Sequence, residues 1–330
     1  MTIAKALRAA IAEEMRRDPT VICIGEDICI PGGWGGAFTV TWGLEREFGL
    51  ARLRNTPISE AGLIGAAVGA ALAGLRPIAD FQYSDFMFCA ADQLINQAPK
   101  ICFMSGGRVK VPLVVRAPVG ASTRGAQHAQ CPEAWIVHTP GWKVAVPSTP
   151  YDAKGLLKSA VRDDNPVLFI EHKVLYSGVM GPVPEGDYTI PIGVADIKRA
   201  GKHATVVAYC RMLHFAMDAA LELAQDGIEV EVIDPRTLNP LDIETIANSV
   251  RKTGRMVTVS EGYPRCGVGA ETVRQLMGYR FEDGTTGFDC LDTRPIILSG
   301  KDCPIPMSEP LEDAVVPTRD DIVAAVRSAL

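Results

Sequence analysis

The sequence predicts an α/β protein of two domains, each built on a mostly parallel sheet with helices on both faces. Three observations lead there. The chain has 330 residues, enough for about two domains of ordinary size. Strand-like and helix-like patterns alternate along it, which favours parallel strands joined by crossover helices. One Pro/Gly-rich stretch at 178–193, GVMGPVPEGDYTIPIG, sustains neither period. The domains are therefore expected at 1–177 and 194–330, with 178–193 as the linker.

The first element is a helix at 3–17, where apolar residues recur at helical spacing, followed by the strand-like run Val21-Ile22-Cys23-Ile24-Gly25. Ser59 reads as an N-cap and Glu60 as a first-turn acid favoured by the helix dipole, opening an Ala/Gly-rich helix at 60–75. Within it Gly65 and Gly69 sit four apart on one face, a spacing that lets two helices approach closely. Strands are expected at 77–81, 111–116, 143–146 and 167–170, and helices at 86–104 and 151–161. After the linker a second series begins: strand 204–209, helix 212–226, strand 230–234, helix 242–253, strand 256–259 and a last helix near 318–328.

Composition excludes several function classes. Apolar residues make up 47% and charged residues 22% of the chain, the balance of a folding sequence rather than a disordered one. Acidic residues outnumber basic ones, 39 to 33, with no basic run, so nucleic acid is not an expected partner. The longest weakly polar stretch, 61–75, is shorter than the about 18–20 residues that span a bilayer. The first residues lack the charged start, apolar block and cleavage site of a signal peptide. No membrane association is expected, and the protein reads as cytoplasmic. Nine cysteines without a CxxC pair argue for small buried hydrophobes in a reducing compartment. A nicotinamide site would want GxGxxG, and Gly267-Val268-Gly269-Ala270-Glu271 lacks the third glycine.

Thr56-Pro57-Ile58-Ser59-Glu60, followed by Gly65-Ala66-Ala67-Val68-Gly69, resembles the E-x4-G-x3-G motif of β subunits of 2-oxo acid and acetoin dehydrogenases. Similar blocks run along the chain: GED at 25–27, MSGG at 104–107, GAQHAQ at 125–130, the block from Pro147 to Pro166, PRTLNPLD at 235–242 and GVGAE at 267–271. The resemblance implies the thiamine-diphosphate-binding fold, a pyrimidine-binding domain followed by a smaller α/β transketolase C-terminal domain. It also implies an enzyme subunit that decarboxylates a 2-oxo acid and passes the acyl group to lipoyl-lysine on a dihydrolipoyl acyltransferase core. In that family a separate α subunit supplies the Gly-Asp-Gly motif holding magnesium and diphosphate. No Gly-Asp-Gly occurs here, so the resemblance implies an assembly of two α and two β chains.

By the same resemblance, Glu60 is the glutamate that hydrogen-bonds the aminopyrimidine of thiamine diphosphate. Ile58, Gln82 and Phe86 match cofactor-contacting positions, with Phe86 stacking on the ring. His128, within Gln127-His128-Ala129-Gln130, matches the active-site histidine; Ala129 stands where a serine is common. Alone, each has a plain reading: a helix start, a core aromatic, a loop histidine. Some relatives hold a structural potassium ion where this chain has the carbonyls of Leu113, Ala160 and Val161 and the side chains of Asp163 and Asn165, oxygens that suit a hard cation. Two other readings stay open: an acetoin dehydrogenase β subunit, and a non-catalytic scaffold subunit. Glu60, Phe86 and His128 together speak against the scaffold.

Overall fold

The computed structural model describes residues 1–30 and 33–330. They form two compact units: Met1–Gly120 with Trp135–Ile192, and Ala121–Ala134 with Gly193–Leu330.

The first unit opens with helix α1 (Ile3–Arg17), capped by the Thr2 hydroxyl at Lys5 N, with Arg16 and Arg17 in its last turn where they complement the helix dipole. Ile3, Leu7, Ile11 and Met15, one helical stripe, are buried. The parallel strands β1 (Val21–Gly25), β2 (Leu53–Asn55), β3 (Arg76–Asp80), β4 (Val114–Val119), β5 (Lys143–Ala145) and β6 (Val167–His172) lie in the order β2-β1-β3-β4-β6-β5. Helix α2 (Glu60–Leu72) connects β2 to β3, and α3 (Pro150–Arg162) connects β5 to β6. α1 packs on α3.

Three expectations change at this level. The helix expected at 86–104 is a 3-10 helix over Ser84–Ala90, a π turn over Gln93–Gln97 and a short α-helix over Ile101–Met104. Pro99 has no N–H to offer the Ile95 carbonyl four residues back, and the Leu94 carbonyl accepts from the Trp142 indole at 2.6 Å. The strand expected at 111–116 is Val114–Val119, since the Leu113 N–H turns back to the Val111 carbonyl at 2.8 Å before the regular ladder begins. Ser59 precedes α2 but makes no side-chain cap bond. The segment 178–193 has no long helix or strand, yet it is strapped to α3. Ser159 Oγ donates to Ile190 O at 2.5 Å, Ile190 N donates to Gly155 O at 3.2 Å, and Tyr188 stacks on Tyr151.

In the second unit β7 (Asp196–Arg199), β8 (Ala204–Ala208), β9 (Val230–Asp234), β10 (Met256–Val259) and β11 (Ile296–Leu298) form a sheet ordered β11-β10-β8-β9-β7. It is parallel except at β7, which runs against β9 with an irregularity at Ile197/Arg199. Helix α4 (Arg211–Gln225) buries Met212, Leu213, Ala216, Ala219, Ala220 and Leu223. Helix α5 (Ile243–Thr253) is capped by Asp242 and stopped by left-handed Gly254, and α6 (Val268–Gly278) follows β10. A short helix α7 (Glu309–Asp313) precedes α8 (Arg319–Ala329), which opens on a Thr318/Asp321 capping box.

Candidate active site

In an open parallel sheet, ligands gather beyond the carboxyl ends of strands where the chain order switches sides. β1 is such a strand here: β2 flanks it on one side and β3 on the other, with Gly25 paired to Asn55 and to Asp80. The segments leaving these strand ends carry Glu26 and Asp27 after β1, Thr56 to Glu60 after β2, and Phe81 to Phe86 after β3. Gly25 has to be glycine, since a Cβ there would sit 2.8 Å from the Asp80 carbonyl oxygen.

Glu60 is the first residue of α2 and half-buried. Burial, followed by the neighbouring Glu60 and Asp27 carboxylates, raises the Glu26 carboxyl above its ordinary range. Sequence reasoning passed over Glu26, whose only signal was its place in the GED block. Thr56 N donates to Gly25 O at 3.0 Å, and Thr56 Oγ1 is buried with no hydrogen-bond partner among the described residues. Ile58 is 84% exposed, an unusual place for a large apolar side chain.

The 3-10 helix packs against α2 and so brings Phe86 to the Glu60 element. Phe86 is half-buried, edge-on to Tyr83 at 5.7 Å, and Tyr83 is edge-on to Phe38. Gln82 is half-buried just past β3.

His128 belongs to the other unit. Its backbone N–H donates to Gly125 O at 3.1 Å, and Gly125 itself is left-handed at φ 78°. Ala129 is buried with Ala121, Ile305 and Val316. Its methyl group is part of an apolar cluster in which a serine hydroxyl would need a partner.

The expected ion ligands lie around the end of α3. Leu113, Ala160 and Val161 are buried, Asp163 is half-buried and Asn165 exposed. The Leu113 carbonyl accepts from Val167 N at 2.8 Å and Ala160 O from Asp163 N at 3.3 Å, each leaving a second lone pair. Asp163 Oδ2 meets the Lys143 ammonium, and Asn165 donates twice to Oδ1. Among the described residues no group of three or more His, Cys, Asp or Glu side chains could hold a metal, and no helix is long and apolar enough to cross a membrane.

Residues 1–178 match the transketolase pyrimidine-binding domain and residues 193–322 the transketolase C-terminal domain. A pyruvate dehydrogenase E1 component subunit beta from Rhizobium meliloti is 46% identical over 99% of this chain and 69% of its own length. The β subunit of acetoin:2,6-dichlorophenolindophenol oxidoreductase from Cupriavidus necator is 45% identical, covering 100% and 97%. The mitochondrial pyruvate dehydrogenase E1 subunit beta of Bos taurus is 44% identical, covering 100% and 90%. A solved chain described as a split gene transketolase, inactive beta4 tetramer, superposes with a TM-score of 0.79 at 24% identity, over 100% of this chain and 98% of that one, and so bears on the fold. The chain belongs to the family of transketolase-like β subunits in which those of pyruvate dehydrogenase E1 and acetoin oxidoreductase are found.

Proposed function

We propose that the chain is the β subunit of a thiamine-diphosphate-dependent 2-oxo acid dehydrogenase, active with an α subunit in an assembly of two α and two β chains. The observation that carries it is Glu60: a half-buried acid beside Glu26, opening a helix at the strand switch, in a chain of this family. Bound there, thiamine diphosphate supplies the electron sink that decarboxylation of a 2-oxo acid requires. The residues present fit its pyrimidine half. Glu60 holds a proton at a ring nitrogen, Phe86 offers an aromatic face, Ile58 and Gln82 border the ring, and Thr56 brings an unpaired hydroxyl. They do not fit the diphosphate, and in the absence of a Gly-Asp-Gly sequence magnesium falls to the α subunit.

His128 donates a proton to the lipoyl sulfur released when the acyl group moves to the acyltransferase core. A structural potassium ion is held by Leu113, Ala160, Val161, Asp163 and Asn165. In chain order the domains run 1–177 and 194–330 about the linker 178–193, with residues 121–134 folding into the second unit, and the working compartment is the cytoplasm.

The test is co-expression with an α-type subunit, followed by assay with pyruvate, branched 2-oxo acids and acetoin. The acetoin arm matters because the Cupriavidus necator relative matches end to end. Glu60→Gln is expected to lower kcat with an artificial electron acceptor about a hundredfold or more, the scale of a lost acid-base group, with circular dichroism unchanged. Wild-type turnover in that variant would overturn the role of Glu60.

A further inference from the structure

Beyond binding and chemistry, the second unit holds the His128 segment in a particular way. Ala121 N donates to Glu261 Oε2 at 3.1 Å, and Thr123 N donates to Glu312 Oε2 at 2.8 Å. Within the same segment Glu133 accepts from Tyr209 OH at 2.7 Å. The three glutamates are 3% (Glu133), 7% (Glu261) and 4% (Glu312) exposed. Burying a carboxylate costs free energy unless hydrogen bonds replace its water, so one buried glutamate within this stretch and two more brought to it from distant parts of the chain are a strong commitment. Glu261 and Glu312 each accept a backbone N–H of irregular chain, the one from Thr123 being the shorter.

Thr123 is the residue most in need of such a bond. It is β-branched with φ 56°, a conformation that L side chains rarely adopt. Two residues on, Gly125 repeats the left-handed turn, and its carbonyl receives His128 N. On the far side Ala129 is locked into the cluster with Ile305 and Val316. His128 thus lies between a pinned turn and a buried anchor. We propose that Glu312, supported by Glu261, is a positioning residue for His128, fixing the turn that sets where the imidazole stands. The inference rests on the role given to His128 above.

The experiment uses the α/β holoenzyme and two assays: acylation of a lipoyl domain, and decarboxylation with an artificial electron acceptor. His128→Ala is the reference and should depress acylation far more than decarboxylation. Glu312→Ala should reproduce that pattern, with acylation down about tenfold to a hundredfold, as for a misplaced catalytic group. Glu312→Gln, which keeps an acceptor oxygen, should restore most of it. A readout independent of activity is tryptic cleavage after Arg124, the one Lys or Arg between 121 and 134, which should quicken in Glu312→Ala and not in Glu312→Gln. If Glu312→Ala fails to fold, Glu312→Asp, whose shortened carboxylate withdraws from Thr123, takes its place in every comparison. A selective loss in His128→Ala with an unchanged ratio in the Glu312 variants would overturn the inference and leave His128 standing. Indifference of both assays to His128→Ala would remove the His128 role and the inference with it.

Discussion

A single guanidinium, that of Arg116, serves two carboxylates inside the first unit. Its Nε and one terminal nitrogen each bond Glu171 at 2.7 Å, and the other terminal nitrogen meets Asp80. Tyr176 OH also donates to Glu171. One cation cannot fully neutralise two acids, one buried and one half-buried. Burial, opposed by Arg116 but reinforced by Glu171, pushes the Asp80 carboxyl up to about 6. Its folded value lies above the unfolded one of ~3.9, so the folded state takes up protons between them. This contribution to stability is full below about pH 4 and is lost as pH rises through about 6. Asp80→Asn stays neutral throughout. The melting temperature of the variant minus that of wild type is therefore expected to become more positive between pH 5 and 7, and a constant difference would count against it. At Asp163 burial is outweighed by hydrogen bonds from Lys143 and Asn165, which hold the carboxyl below its ordinary range. A bound potassium ion would share that carboxylate with Lys143. Potassium should then raise the wild-type melting temperature and fail to do so in Asp163→Ala; a wild type indifferent to potassium would leave Lys143 as the only cation there. Glu60, Phe86 and His128 stand out only through the motifs that carry the family resemblance; taken alone, each reads as a helix start, a core aromatic or a loop histidine. Glu261 and Glu312 do not stand out at all, since their partners Ala121 and Thr123 lie 140 and 189 residues away.

Among the elements, regular periods were readable and interruptions were not. α1, β1 and the terminal helix follow from capping residues and apolar spacing. In the broken stretch after β3 one carbonyl is taken by an indole 48 residues on, a contact no local pattern announces. The linker shows the same limit. Its Pro/Gly content correctly argues against helix and strand, but says nothing of α3, against which it lies. Gly155 makes that approach possible: a Cβ would stand 2.6 Å from Ile190 Cγ1 and 2.8 Å from the Tyr188 ring. Gly155→Val is thus expected to lower stability by about 1–3 kcal/mol, the usual cost of overpacking, and to make 178–192 more open to proteases. Denaturant unfolding together with limited proteolysis would check both; unchanged midpoints and digestion would mean that the strap is not held through this contact.

At the scale of the whole molecule, the chain enters the second unit twice, first as 121–134 and finally at Gly193. A protein cut at the linker would leave the C-terminal part without Ala121 and Ala129 in its apolar cluster, without the Ala121 and Thr123 amides for Glu261 and Glu312, and without Glu133 for Tyr209. Buried groups stripped of partners are strongly destabilising. Residues 193–330 made alone are therefore expected to melt well below the intact chain, and a cooperative transition at the same temperature would contradict this. The missing stretch is not lost, however; it remains on the N-terminal fragment as an exposed loop. Fragments 1–192 and 193–330, mixed after separate purification, should recognise one another through it and co-elute, with the melting temperature of the second fragment rising as the first is added. The boundary where one chain becomes two domains is thus also the place where two chains could become one protein.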